Sequence, residues 1–465
     1  MLLIATLVVA PPARADHTSV QATATGQVAA TDNLFAAGND GDRQADAFLT
    51  VRPGVIYAID GPRMSHDFTV EGEVTEYLVH NGTPSLTGHG GWTGQFLPGP
   101  QSVLTLSAGG SSGVLTSLST RSSADQTTAT VAPAGKATVY TLDAGEHLAW
   151  NAGVFTQVSQ SLNGRYGLTD DGSGGTSDTR ELAAGLGFGR TFQENSVKLD
   201  VGASFLQLEH STTASAMTPG MPGNGSSRQL NPHGTVTWHH DFNREWSGSV
   251  NGGLTFVHPL DSTTTNAMGM TVDTKTAAFT VYGAQVGYTE VWGHASLSAS
   301  RSVAPNLLLA QNTVNENLSA SVAMPLPWLD ATRRNPKLAA AGSVSVGRTQ
   351  VLDGATSATQ SSLDVAHLDL AVTYNRTASQ TYGVRYELLY QNGDSAGTMV
   401  IPSYYRNSLY VTFALRYPEQ AEGELRRHNK LARPGGPGAK PLGLEPVVPE
   451  TVDPEPIDLP DVDDH

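Results

Sequence analysis

Residues 408–417 read SLYVTFALRY. Leu409, Val411, Phe413, Leu415 and Tyr417 take every second place, and Ser408, Tyr410, Thr412, Ala414 and Arg416 stand between them. Successive side chains of a β-strand point to opposite faces, so this alternation predicts a strand with one apolar and one mixed face. Beyond it the chain turns proline-rich and acidic and offers nothing further to pack. The apolar face must therefore meet either a protein core or lipid, and that choice decides the fold.

The same unit of about ten alternating residues returns along the chain. VKLDVGASF (197–205) sets Val197, Leu199, Val201, Ala203 and Phe205 on one face. YGVRYELLY (382–390) sets Tyr382, Val384, Tyr386, Leu388 and Tyr390 against Arg385 and Glu387, and DFTVEGEVT (67–75) sets Phe68, Val70 and Val74 against Asp67, Thr69, Glu71, Glu73 and Thr75. The breaks between units alternate in length. GPR (61–63), PGP (98–100), QENS (193–196), NRE (243–245), WGH (292–294) and RTAS (376–379) are tight. AAGNDGDRQ (36–44), 119–136, TDDGSGGTSDT (169–179) and 213–228 are long, polar and rich in Gly and Ser.

Short turns on one side and long loops on the other describe a transmembrane antiparallel β-barrel. With the N-terminus on the short-turn side, strands fall near 19–30, 45–59, 66–80, 87–97, 101–117, 138–150, 154–167, 180–192 and 197–210. The rest fall near 229–242, 246–257, 275–291, 294–303, 314–324, 338–351, 363–375, 380–391 and 404–417. That makes eighteen, with sixteen and fourteen left open because 118–152 can be divided in more than one way. A soluble all-β sandwich would also alternate, but it needs similar turns at both ends and a richer core. No fixed repeat of 20–50 residues points to a solenoid or propeller.

Composition agrees with a thin, two-faced wall. The 465 residues are 39% hydrophobic and 15% charged, against about 25% charged in ordinary soluble domains, with 49 glycines. There is no cysteine, which excludes disulfides, thiolate metal sites and a cysteine nucleophile. MLLIATLVVAPPARAD begins with a short apolar run and ends in Ala13-Arg14-Ala15, the form of a signal peptide over residues 1–15. The positive segment that usually precedes such a run is missing, so a start codon upstream stays open. The formal net charge is −16, and no basic footprint supports nucleic-acid binding.

The domain plan is therefore a signal peptide at 1–15, a barrel at 16–417 and a tail at 418–465. Leu409, Val411, Phe413, Leu415 and Tyr417 resemble the terminal strand signal by which barrel-assembly machinery recognises outer-membrane proteins. The resemblance implies the outer membrane of a Gram-negative bacterium, with lipid against the apolar face. The tail carries Glu445, Glu450, Asp453, Glu455, Asp458, Asp461, Asp463 and Asp464 among frequent prolines. It reads as a disordered, solvated segment in the periplasm, or as a docking segment for a periplasmic partner.

Chemistry is sparse. His239 and His240 are neighbours on a strand and point apart, so they cannot share a metal. Glu146 with His147, and His367 with Asp369, are candidate lumen residues, but two ligands make no metal site. GLGFG (185–189) sits within a strand. No nucleophile elbow or nucleotide-binding loop stands out, so no enzyme, metal or cofactor is expected. Tyr57, Trp92, Trp150, Trp238, Trp246, Trp292, Tyr374 and Tyr404 are candidates for aromatic girdles.

By parity the lumen is lined by Glu71, Glu73, Gln157, Asn163, Arg165, Lys198, Asp200, Arg385, Glu387 and Arg416, with Ser159 and Ser161 between them. Both charge signs mix with hydroxyls and amides, which suits hydrogen bonding to sugars and lacks the single-sign ring of an ion-selective pore. A barrel of 16–18 strands leaves an aqueous channel unless something closes it. In architecture the chain resembles the outer-membrane porins of myxobacterial polysaccharide export, whose partners are periplasmic export proteins. That resemblance implies passage of an exopolysaccharide or spore-coat polymer. The alternatives are a general diffusion or solute-uptake porin and a structural or binding barrel.

Overall fold

The computed structural model describes residues 17–33, 43–79, 84–115, 137–170, 175–212, 225–261, 263–265, 271–273, 275–290, 293–306, 311–326, 337–352, 359–377, 379–394 and 403–417. The expected signal peptide and C-terminal tail lie outside these residues, as does Trp292. The wall begins with β1 (His17–Thr31), β2 (Asp46–Asp60), β3 (Met64–Tyr77), β4 (Ser85–Gly99), β5 (Ser102–Leu115) and β6 (Ala137–Asn151). It continues through β7 (Thr156–Asp170), β8 (Gly175–Phe192), β9 (Asn195–Thr212), β10 (Gly225–Asp241) and β11 (Trp246–Pro259). A small hairpin, β12 (Thr263–Thr265) and β13 (Thr271–Asp273), forms its own two-stranded sheet in the next connection. The circuit is completed by β14 (Ala277–Glu290), β15 (Gly293–Asn306), β16 (Gln311–Pro325), β17 (Leu338–Leu352), β18 (Thr359–Thr377), β19 (Gln380–Asp394) and β20 (Tyr404–Tyr417).

Each wall strand pairs antiparallel with its neighbours, and β1 pairs with both β2 and β20. The sheet is therefore a closed, all-β barrel of eighteen strands, and closure removes the unpaired edges that an open sheet would expose. Every expected strand is present. Among the described residues 118–152 contributes one strand, β6, and the closed circuit holds eighteen.

The seam between β1 and β20 runs from Ala22 opposite Tyr417 to Thr31 opposite Ser408. A polar clasp fixes its upper end. The Asn407 backbone N–H donates to Asp32 Oδ1 at 2.8 Å, and Asn407 Nδ2 donates to Asp32 Oδ2 at 2.6 Å. Ser408 Oγ donates to Thr31 Oγ1 at 3.2 Å, and Asn33 Nδ2 donates to the Tyr405 carbonyl at 3.1 Å.

Tight connections gather at one end. Between β8 and β9 the turn is Gln193-Glu194, with Gln193 at φ 41°, the left-handed conformation that a two-residue hairpin demands. One connection breaks the rule: between β16 and β17 the chain runs from 326 to 337 at the short-turn end. No helix among the described residues is long and apolar enough to cross a membrane.

Closure gives the sheet an outer and an inner face, and period two assigns side chains to them. Leu409, Val411 and Phe413 are exposed on the outside together with Val384, Leu370, Val346, Leu318 and Leu297 of the strands that follow round the wall. Leu415 and Tyr417 share their parity. The pattern of SLYVTFALRY is thus an apolar exterior.

Candidate functional site

The outer face carries two boundaries. Near the long-loop end, Arg301, Glu316, Arg348 and Asp364 lie opposite one another on β15, β16, β17 and β18. They form an alternating row, with Arg301–Glu316 at 3.1 Å and Arg348–Asp364 at 2.9 Å. The collar continues at Arg180, which meets Asp178 at 2.9 Å, and at Arg228, which meets Asp261 at 2.6 Å. Asp261 lies past the end of β11, and the hydrogen bond from Arg228 holds its carboxyl below the usual carboxylate range.

Near the short turns the outer face is aromatic. Tyr57 and Phe68 lie 6.0 Å apart between ring centres, Trp246 and Tyr288 4.8 Å, and Tyr382 and Phe413 5.1 Å. Trp92 stands farther up and reaches down, donating Nε1–H to His66 Nδ1 at 3.3 Å. Trp150, Trp238 and Tyr374 share the outward parity. Tyr404 does not: it is 2% exposed and faces inward, because the strand's parity puts Tyr405 outside.

On β18 the two boundaries are Asp364 and Tyr374. Between them only Ala366, Leu368, Leu370 and Val372 face outward. Ten residues of strand at a tilt near 40° rise about 25 Å, the height of the apolar band on a membrane barrel.

The register puts all ten lumen candidates on the inner face. Glu71 and Glu73 alternate with outward Val70 and Val74 on β3. Gln157, Asn163 and Arg165 share a face on β7, Lys198 and Asp200 on β9, Arg385 and Glu387 on β19, and Arg416 lies low on β20. Several of the charged candidates are paired within the wall. Glu73 bonds Arg52, Lys198 meets Asp200 at 2.8 Å, and Arg165 lies opposite Glu181 on β8. The hydroxyls also pair: Ser296 with Ser321 and Ser298 with Ser319, both at 2.7 Å.

The densest group is His367, Asp369, Arg385, Glu387 and Arg406. Arg385 bonds Asp369 and meets Glu387 at 3.2 Å, while Arg406 and His367 approach the other Glu387 oxygen at 3.6 and 3.5 Å. Glu387 is the third ligand type that His367 and Asp369 lacked in sequence, and the three could reach one ion. Two guanidiniums already take those carboxylates, so the arrangement is an ion-pair network. Arg406, absent from the sequence reading, is 1% exposed and is the group's most enclosed member.

Height matters as much as face. On β20 the inward Tyr404, Arg406, Ser408 and Tyr410 are buried, Thr412 and Ala414 are half-buried, and Arg416 is exposed. Burial falls the same way from Tyr77, Thr75 and Glu73 to Glu71 on β3, and from Thr169 to Arg165, Asn163 and Gln157 on β7. The inner wall is thus closed over toward the long loops and open toward the short turns. Part of the closure is apolar: Phe48 packs on Tyr77 at 5.9 Å and on Tyr410 at 6.4 Å, beside Ala29. Asn312 on β16 bonds Gln229 on β10, two strands that are not neighbours. The sequence reading named polar residues for the lumen; this apolar patch on the adjacent strands β20, β1, β2 and β3 adds to them. Period two reports which face a residue takes and is silent on depth.

The histidine pair splits as the pattern requires. His239 faces inward, 3.3 Å from Asp241, while His240 lies outside between Trp238 and Phe242. Glu146 and His147 split too, and Glu146 is the outward one, not a lumen residue.

Solved structures similar to this barrel are outer-membrane transporters and receptors. They include the copper transporter OprC (TM-score 0.46, 12% identity, 82% of this chain and 62% of that one). The ferric-catecholate import receptor Fiu from E. coli K12, in its open form, gives TM-score 0.45 at 10% identity over 86% of this chain and 82% of that one. The outer membrane protein opdK from Pseudomonas aeruginosa gives 0.43 at 9% over 86% and 99%. This chain spans 62% of the length of the copper transporter. No family model and no curated protein matches the chain.

Proposed function

We propose that the protein is an outer-membrane conduit, open to the periplasm and gated at the cell surface, that passes a neutral polyhydroxylated polymer outward. The observation that carries the membrane assignment is the apolar belt of about 25 Å between the charged collar and the aromatic girdle. Short turns, the start of β1 and the end of β20 then face the periplasm, and Phe413 and Tyr417 close the strand offered to the assembly machinery.

The cargo follows from the inner wall. Paired hydroxyls such as Ser296 and Ser321, amides such as Gln157 and Asn163, and mutually neutralised charges can exchange hydrogen bonds with sugar hydroxyls. Among the described residues both charge signs mix on the inner face, and no ring of one sign is formed there. The ten inner-face candidates are the residues assigned to that lining. A polysaccharide, delivered by a periplasmic export protein that docks on residues 418–465, fits this wall best. In a deletion strain surface polysaccharide should disappear and polymer should accumulate in the periplasm. Unchanged surface polymer with slower uptake of small solutes would favour a diffusion porin instead.

We propose that this inward apolar patch sits where passage is narrowest, and that reading has its own test. Phe48→Ala, Tyr77→Ala and Tyr410→Ala together should raise single-channel conductance in planar bilayers several-fold. Equal conductance of variant and parent would show that this cluster does not limit passage.

A further inference from the structure

On the outer face, Gln160 Nε2 of β7 donates to Glu146 Oε1 of β6 at 3.2 Å. Their neighbours across the ladder are all leucines: Leu106 and Leu162 lie opposite Glu146, and Leu148 and Leu186 lie opposite Gln160. Glu146 stands four residues above Trp150, about 10 Å into the apolar belt. Among the described residues it is the one formally charged side chain on the outer face between girdle and collar.

Acyl chains cannot satisfy these groups. An ionised carboxylate has about four acceptor sites, and one amide N–H fills one of them. Gln160 retains a second N–H and its own carbonyl, so the pair offers both a donor and acceptors to whatever lies against it. Intramembrane polar groups of this kind face a protein partner or a cavity rather than lipid. The surrounding outer face lets a partner come close, since Ala144, Ala108 and Ala184 share it and nothing lies within 4 Å of a Cβ built on Gly164.

We infer that this patch, which rests on the membrane reading above, is where a second copy of the chain docks about a twofold axis. A donor and an acceptor side by side are self-complementary under such an axis: Gln160 of each copy meets Glu146 of the other, and each carboxylate gains a second amide N–H. A partner of different sequence would need no such matched pair.

The natural chain has no cysteine, so a single introduced thiol reports one position. Leu162→Cys, oxidised in native membranes or bridged by a short bis-maleimide, should give a species of twice the chain's mass. Leu370→Cys, on the opposite side of the eighteen-strand wall, should stay monomeric under the same treatment. Adding Glu146→Leu and Gln160→Leu to the Leu162→Cys chain should lower the cross-linked fraction several-fold. No cross-link at 162, equal cross-linking at 370, an adduct of another mass, or no effect of the leucine pair would each overturn the inference. A chain that fractionates away from membranes would overturn the membrane reading with it, whereas a membrane-embedded monomer would overturn the dimer alone.

Discussion

Val411→Arg should destabilise the folded barrel in lipid vesicles by about 2–4 kcal/mol, read from urea unfolding. Val411 is 54% exposed on the outer face and stands six residues above the end of β20, about 15 Å up the wall. In water an arginine at such a position is close to neutral. In hydrocarbon its guanidinium must be dragged toward an interface or hydrated by a defect, and the cost falls on the folded state. Asn163→Arg, an exposed inner-face position, should stay within about 0.5 kcal/mol of the parent. Indifference of both positions to arginine would remove lipid from the account of the outer face.

Glu387→Ala should cost about 3–5 kcal/mol, because it removes the carboxylate that two guanidiniums and His367 share in a largely buried network. Glu387 is 9% exposed, and Arg406 has almost no contact with water. The loss is larger than for an exposed ion pair such as Arg348–Asp364, which is worth at most about 1 kcal/mol. Replacing Glu387 and Arg406 together by leucine should recover much of the stability, since an apolar pair of similar volume often matches a buried ion pair. The same double variant should leave single-channel conductance unchanged if the network only holds the wall together. A double variant as unstable as Glu387→Ala would place the cost in lost packing rather than in the broken ion pair.

The fold was legible because one signal, alternation at period two, repeats eighteen times and is punctuated by turns of alternating length. Face assignments came with it: Glu73, Arg385 and Lys198 lie inside because Val74, Val384 and Leu199 lie outside. Glu146 obeyed the rule too, since Tyr140, Leu142, Ala144, Leu148 and Trp150 share its parity; its place on the greasy side could have been read from YTLDAGEHLAW. Tyr404 was misplaced because an aromatic near a strand end suggests a girdle, and only parity with Arg406 and Ser408 shows that it faces inward.

Other features carried no local signal. The Glu387–Arg406 approach depends on which strands adjoin. The Asn312–Gln229 bond depends on the curvature of the wall, and the burial of Phe48 and Tyr77 depends on depth. None of these leaves a trace at period two.

The Asp32–Asn407 clasp has a kinetic consequence. Its halves are 375 positions apart, so the facing edges of β1 and β20 stay unpaired until the two strands meet. Loop closure on that scale is slow, and the unfinished sheet presents bare amide rows to every similar neighbour during the wait. Weakening the clasp should therefore show first as inclusion bodies, well before any loss of thermal midpoint in molecules that did close.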